Sequence, residues 1–295
     1  MTDFEDVVVD LHLSNYATGA ERNDLDQRDW IFESIHSPTN AVHLHAAQTN
    51  LLQKHAVQAK LPAALDLRKH LPPVRNQGSR PTCVAFVAAA IKEYQERQDC
   101  GFQGYMSPNF VYAHRRNKPD GGMYPRDMCN ILKSMGSCCE DRFPYNPNKE
   151  PSIIPREALK EAGGYRIQGY ASVQTQEGLK RALVTYGPCY ISVPVYNYGW
   201  RMWAAGEKKP TRLAIHAMAV VGYNDSGFVL RNSWGKKWGD AGHTLFPYAD
   251  FGMHFDLVSL VDVQGSLPVP RPQPKPKPKK KKEGKQVLCI SLPCK

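Results

Sequence analysis

The apolar patterning changes near Phe143-Pro144-Tyr145, and that change restricts the chain to folds built from two unlike halves. Before it, apolar residues cluster in helix-compatible runs. The Ala-rich stretch that follows Thr82 predicts a helix over residues 83 to about 98. Ser107 as cap and Pro108 at the first helical position predict a second helix, and residues 127–135 a third, after the Asp120-Gly121-Gly122 turn. Beyond Tyr145, residues 169–173, 189–195, 217–223, 227–234 and 243–247 read as strands, with one helix at 176–186. A helical half followed by a strand-rich half predicts an α+β fold of two lobes with a cleft between them.

The chemistry concentrates on the run Arg75-Asn76-Gln77-Gly78-Ser79-Arg80-Pro81-Thr82-Cys83. A thiol opening a helix faces unpaired backbone N–H groups and the positive end of the dipole, which predicts a lowered thiol pKa and a prepared nucleophile. Core filling by a small apolar residue is an equal reading of this stretch alone. A nucleophilic cysteine also needs a base, a group that orients the base, and donors for an oxyanion. His216 interrupts the apolar run Ala214-Ile215-His216-Ala217-Met218, and Asn232-Ser233-Trp234 follows the next strand. An asparagine there can accept from one imidazole nitrogen while the other faces the thiol, under the cover of the Trp234 indole. Gln77 can set an amide N–H beside the Cys83 backbone N–H.

In these residues the chain resembles the papain-like cysteine peptidases of the leaderless microbial or viral type. His216 and Asn232 lie 133 and 149 residues after Cys83, which matches the spacing of that family's signature. The resemblance implies a two-lobe papain-like fold with a helical N-terminal lobe and a β-barrel-like C-terminal lobe. It implies Cys83 as nucleophile, His216 as acid and base, Asn232 as its orienting partner, Gln77 in the oxyanion hole and Trp234 as the shield. Gly121 and Gly122 look like the glycine pair whose backbone holds an extended substrate. Met123, Ile215 and Ala217, with Ala214 beside them, are expected to line the main specificity pocket and to favour an apolar side chain. No metal and no organic cofactor is implied. Three positions depart from the family pattern: Arg80 stands where a disulfide cysteine is usual, Pro81 where a glycine is, and Val84 where an aromatic residue is.

The expected organisation is an N-terminal extension or pro-segment over residues 1–60, a peptidase domain over 61–263 and a Pro- and Lys-rich tail over 264–295. Within the first, residues 41–60 are helix-compatible, and His43-Leu44-His45 lacks further ligands at metal-binding spacing. The tail holds nine Lys and Arg against one acid, so it carries +8 of the formal +10 and the body is nearly neutral. Such a tail predicts an extended solvated arm. Nucleic acid or an anionic surface is the partner that residues 268–285 would take, and a plain spacer is the competing reading. The acidic N-terminus has no apolar run of signal-peptide length and no segment reaches the length of a membrane span, which predicts an intracellular, cytoplasmic or virion-associated protein. Eight cysteines without a Cys-x-x-Cys pair predict free thiols. The expected activity is endopeptidase cleavage of a protein or peptide substrate. An exopeptidase, an acyltransferase or transglutaminase using the same triad, and a virion-type structural protein acting through its tail are the alternatives.

Overall fold

A computed structural model describes residues 16–24, 26, 29–35, 61–118, 121–150, 153–206 and 214–262. The histidine pair at 43 and 45, the helix-compatible stretch 41–60 and the basic tail lie outside the described residues.

Six helices and seven strands make up the described chain: α1 (Phe32–Ile35), β1 (Leu65–Asp66), α2 (Cys83–Cys100), α3 (Pro108–Ala113), α4 (Pro125–Ser134), α5 (Arg156–Ala162), β2 (Ile167–Ser172), α6 (Gln176–Tyr186), β3 (Cys189–Val195), β4 (Ala214–Tyr223), β5 (Gly227–Arg231), β6 (His243–Pro247) and β7 (Leu257–Asp262). The strands form one antiparallel sheet in the order β2-β7-β3-β4-β5-β6, with the short β1 paired to the far end of β4. The architecture is α+β with two lobes: helices α2 to α5 pack on one side, and the curved sheet carries the rest.

Helix α2 is the axis of the first lobe. From Cys83 to Glu93 every residue is buried, which is why this stretch is Ala-rich where it passes close to β4. It ends at Gly101, whose left-handed φ of 67° lets its N–H reach the Arg97 and Glu96 carbonyls. Even Lys92 is buried on this helix, its charge held by Glu96 at 2.8 Å and Asp262 at 2.9 Å, so α2 is tied to the last strand. Ser107 caps α3 through a 3.2 Å bond from the Phe110 N–H, and Thr175 caps α6 in the same way at 2.9 Å from Gly178.

Thr82 departs from expectation. Its side chain makes no capping bond, because its hydroxyl is taken by the Tyr145 hydroxyl at 2.7 Å. The strand predicted over 227–234 stops at Arg231, since the Asn232 N–H turns to the Gly242 carbonyl and Trp234 bridges to Asn76. Strand β4 starts earlier than predicted, at Ala214.

Strand β4 separates two cores. Ile215, Ala217, Ala219 and Val221 face the helical lobe and meet Cys83, Val84, Ala88 and Ile91. Met218 and Val220, on the opposite face, pack with Leu179, Ile191, Trp203, Phe246 and Trp234. This alternation sets the beginning of β4 beside the N-terminus of α2, with side chains available on both faces. No helix among the described residues is long and apolar enough to cross a membrane.

Candidate active site

His216 is fully buried near the start of β4, and its Nε2 lies 2.7 Å from Asn232 Oδ1. The Trp234 indole stacks on the imidazole at 4.4 Å between ring centroids, and Trp238 meets Trp234 edge-on at 5.5 Å. Water is thereby kept from the His216–Asn232 bond. His216 Nδ1 has no hydrogen-bond partner. Cys83 is also fully buried, packed among Ala20, Val84, Ile215 and Ala217.

Gln77 is equally buried but more firmly anchored than the sequence indicates. Its Nε2 donates to the Arg80 carbonyl at 2.9 Å, and its Oε1 accepts from the Ser233 hydroxyl at 2.5 Å. One Nε2 proton is left over for another acceptor. The loop carrying Gln77 is laced to the loop carrying Asn232: the Gln77 N–H donates to Ser233 O at 2.8 Å, and the Gly235 N–H donates to Arg75 O at 3.0 Å. Arg75 is fixed in turn by Glu93 at 2.9 Å and Glu140 at 3.0 Å. Burial pushes the Glu93 carboxyl up to about 7 against the attraction of Arg75. A cavity of about 20 Å³, the size of one water, is bounded by Arg75, Glu93, Arg231 and Asn232.

The groove between the lobes is filled by the chain's own N-terminal segment, residues 16–24. The Gly19 and Ala20 N–H groups both reach Ile215 O at 3.2 Å, Met123 N–H donates to Gly19 O at 2.9 Å, and Glu21 N–H donates to Met123 O at 3.0 Å. Ala20 and Met123 form a parallel bridge. At one end Tyr16 packs on Trp234, whose indole N–H donates to Ala17 O at 2.9 Å. At the other, Arg126 holds Asp29 at 2.5 Å, and Glu33 accepts from the backbone N–H groups of Gln174 and Thr175. The absence of side chains at two glycines allows this fit. A Cβ on Gly19 would fall 2.5 Å from the Pro81 carbonyl oxygen, and one on Gly122 would fall 2.3 Å from the Glu21 carboxylate.

The covering corrects one expectation. A lowered thiol pKa follows from the helix N-terminus alone, yet burial outweighs the nearby backbone N–H groups and pushes the Cys83 thiol up to about 12. The same burial brings His216 down to about 4 against the Asn232 bond. In this arrangement thiol and imidazole are both neutral.

A model of the papain family of cysteine proteases matches residues 61–251, most of the chain. The chain belongs to that family. Among curated proteins it is similar to cathepsin K of Mus musculus, 28% identical over 202 residues that make up 64% of this chain and 60% of that protein. Cathepsin K of Gallus gallus is likewise 28% identical, over 63% of this chain and 59% of that protein. The match thus spans about three fifths of the length of these relatives. Among solved structures, the fold is shared with xylellain, a cysteine protease from Xylella fastidiosa, at a TM-score of 0.67 and 24% identity, covering 85% of this chain and 97% of that one. It is shared also with the Carica candamarcensis cysteine protease CMS1MS2, at a TM-score of 0.54 and 23% identity, covering 68% and 99%.

Within this papain-family frame, His216, Asn232 and Trp234 are joined directly and Gln77 is tied to Ser233 beside them, while Cys83 packs with Met123 and with Ile215 and Ala217, the two neighbours of His216. The three departures have physical roles. Arg80 is buried, donates to Asn109 at 2.7 Å and to Asn146 O at 2.8 Å, and lies over the rings of Tyr112 and Tyr145. A cation and its partners thus brace the loop. Pro81 forms the wall against which Gly19 rests, and Val84 fills the core beside Cys83. Sequence reasoning missed Tyr145, whose hydroxyl donates to Gln77 O at 2.7 Å.

Proposed function

We propose that the chain is a cysteine endopeptidase held latent by residues 16–24 of its own N-terminal extension. The observation that carries this reading is the His216–Asn232 bond under Trp234, which fixes the imidazole through Nε2 and leaves Nδ1 unpartnered beside a groove lined by the Cys83 thiol. With the N-terminal segment displaced, desolvation of both groups is relieved. His216 Nδ1 then takes the Cys83 proton, and the thiolate attacks a peptide carbonyl lying along Gly122 and Met123. The developing oxyanion is met by the Cys83 N–H and the free Nε2 proton of Gln77. The imidazolium protonates the leaving amine, and neutral His216 then activates water to release the acyl group from sulfur. The scheme calls on no metal or organic cofactor.

The latency is supported by direction. Residues 16–24 run parallel to the edge at Met123 and pack on Cys83 at Ala20. Incubating the full chain carrying Gly19→Val, which lifts the covering segment, and the same protein with Cys83→Ala added, with a peptide mixture, followed by mass spectrometry of the products, tests the reading. Internal cleavage lost in Cys83→Ala supports it. Removal of single terminal residues or ligated products would replace it with the exopeptidase or acyl-transfer reading, and equal cleavage by both proteins would overturn the role of Cys83.

A further inference from the structure

The two oxyanion donors, Gln77 and the Cys83 N–H, stand at opposite ends of a short loop, and one phenol joins those ends. Tyr145 comes from the segment after α4. Its hydroxyl has a single proton, and the Gln77 carbonyl 2.7 Å away can only accept, so the proton is given there. The Thr82 hydroxyl, also at 2.7 Å, must then donate to the phenol oxygen. Its other acceptor, the Arg80 carbonyl, lies 3.4 Å off and already takes the Thr82 N–H at 2.8 Å and Gln77 Nε2 at 2.9 Å. Thr82 directly precedes Cys83, and its own carbonyl accepts the first bond of α2 from the Phe86 N–H at 3.1 Å.

The phenol is itself held from three sides. The Tyr145 N–H donates to Glu140 Oε1 at 2.6 Å, its ring meets Phe86 edge-on at 4.7 Å, and the Arg80 guanidinium lies 4.9 Å over its face. Burial pushes the phenol pKa up, so the hydroxyl keeps the proton it gives to Gln77. The residues beside Tyr145 close the outside of the loop: Arg80 donates to Asn146 O at 2.8 Å, and a Cβ on Gly78 would fall 2.7 Å from the Pro147 Cβ. Removing the hydroxyl alone leaves the buried Gln77 carbonyl without this donor. The Thr82 hydroxyl then turns to the Arg80 carbonyl and competes there with Gln77 Nε2, the amide whose remaining proton is meant for the oxyanion.

We propose that Tyr145 is a positioning residue for peptide hydrolysis: its hydroxyl fixes Gln77 against the first turn of α2, so that the two oxyanion donors keep one spacing. The proposal rests on the peptidase reading above. Tyr145 touches neither the substrate nor the sulfur and acts through Gln77.

The test uses the full chain with Gly19→Val, in which the covering segment is lifted, and adds Tyr145→Phe, which keeps the ring against Phe86 and Arg80. On an internally quenched peptide, kcat should fall about tenfold with KM within about twofold, less than the 10²- to 10³-fold that loss of an oxyanion donor costs. In a Gln77→Ala background the same change should alter kcat by less than about twofold, because the group through which Tyr145 acts is gone. Alkylation of Cys83 by iodoacetamide, in which sulfur displaces iodide, the thiol proton goes to solvent and no oxyanion forms, should keep its rate within about twofold. If Tyr145→Phe does not fold, Thr82→Val removes the hydroxyl's other partner and should lower kcat a few-fold, again only where Gln77 is present. An unchanged kcat, an equal loss with and without the Gln77 side chain, or an equal loss in alkylation overturns the proposal. Titration with a peptide nitrile, whose carbon takes the Cys83 sulfur while the thiol proton passes to nitrogen, reads the donors without turnover, and Tyr145→Phe should weaken it about tenfold. Weakened nitrile binding with no hydrolysis by either protein defeats the peptidase reading alone, and hydrolysis with equal nitrile affinity in both defeats the positioning role alone.

Discussion

Replacing Gly19 by valine should convert the covered protein into an open one without touching any group that does chemistry. The glycine has a φ of 151°, a conformation that L side chains rarely adopt, and a Cβ there would lie 2.5 Å from both the Pro81 Cβ and the Pro81 carbonyl oxygen. Pro81 cannot yield, since it adjoins Thr82 and the first turn of α2. The N-terminal segment must therefore lift, and it loses the bonds from Gly19 and Ala20 to Ile215 and the pair shared with Met123. Four backbone bonds at about 0.5–1.5 kcal/mol each hold the segment here, and overpacking of this kind costs about 1–3 kcal/mol. A shift of roughly 3 kcal/mol raises the open fraction by about 10²-fold. The assay is the rate at which an epoxide thiol reagent labels Cys83 in the full chain, followed by intact mass with Cys83→Ala as the blank. A rate in Gly19→Val within about twofold of the parent, with the fold preserved by circular dichroism, would refute the claim that residues 16–24 limit access to the thiol.

Acid should open the same cover. His216 titrates at about 4 when covered, whereas an exposed imidazole titrates near 6.5. Covering therefore favours the neutral form, so its contribution is fully present above about pH 6.5 and is lost as pH falls toward 4, by at most about 3 kcal/mol, since Trp234 keeps its share of the burial when the segment leaves. The rate of Cys83 reaction with 2,2′-dipyridyl disulfide, which also reacts at acid pH, should rise over that interval, and a flat profile would contradict the sign. Asn232→Ala removes the 2.7 Å bond to His216 Nε2 and should lower kcat by roughly 10- to 100-fold with little change in KM. Arg80→Ala leaves Asn109 and the Asn146 carbonyl without their donor and vacates the space between Tyr112 and Tyr145, so thermal unfolding should show a loss of about 2 kcal/mol. Arg126→Ala, which frees Asp29 at the far end of the covering segment, should speed Cys83 labelling by a few-fold only, because that ion pair is partly exposed.

Most of the elements and the His216–Asn232–Trp234 cluster were legible because each is written locally. An apolar run with Ala at close-packing positions marks α2, Ser-Pro marks the start of α3, and a histidine inside an apolar strand is conspicuous whatever surrounds it. Tyr145 was not legible because it acts through distant partners, Gln77 and Thr82. The thiol's state was misjudged for the same reason. The helix N-terminus is a local feature, but the burial that overrides it comes from packing among residues distant in sequence, Ile215 and Ala217 of β4 and Ala20 among them. Thr82 likewise has the composition of a helix cap and the position of a partner for Tyr145.

The most direct measurement is acid-quench trapping of the acyl-enzyme on the full chain carrying Gly19→Val. A peptide ester is mixed with the protein for less than one turnover, quenched, digested and read by mass spectrometry. A mass increment equal to the acyl half of the ester is expected on the fragment that contains Cys83, hydroxylamine-labile as a thioester must be, and absent from Cys83→Ala. Steady turnover of the ester with no such adduct on Cys83, or with the adduct on another residue, would contradict the assignment of Cys83 as the nucleophile.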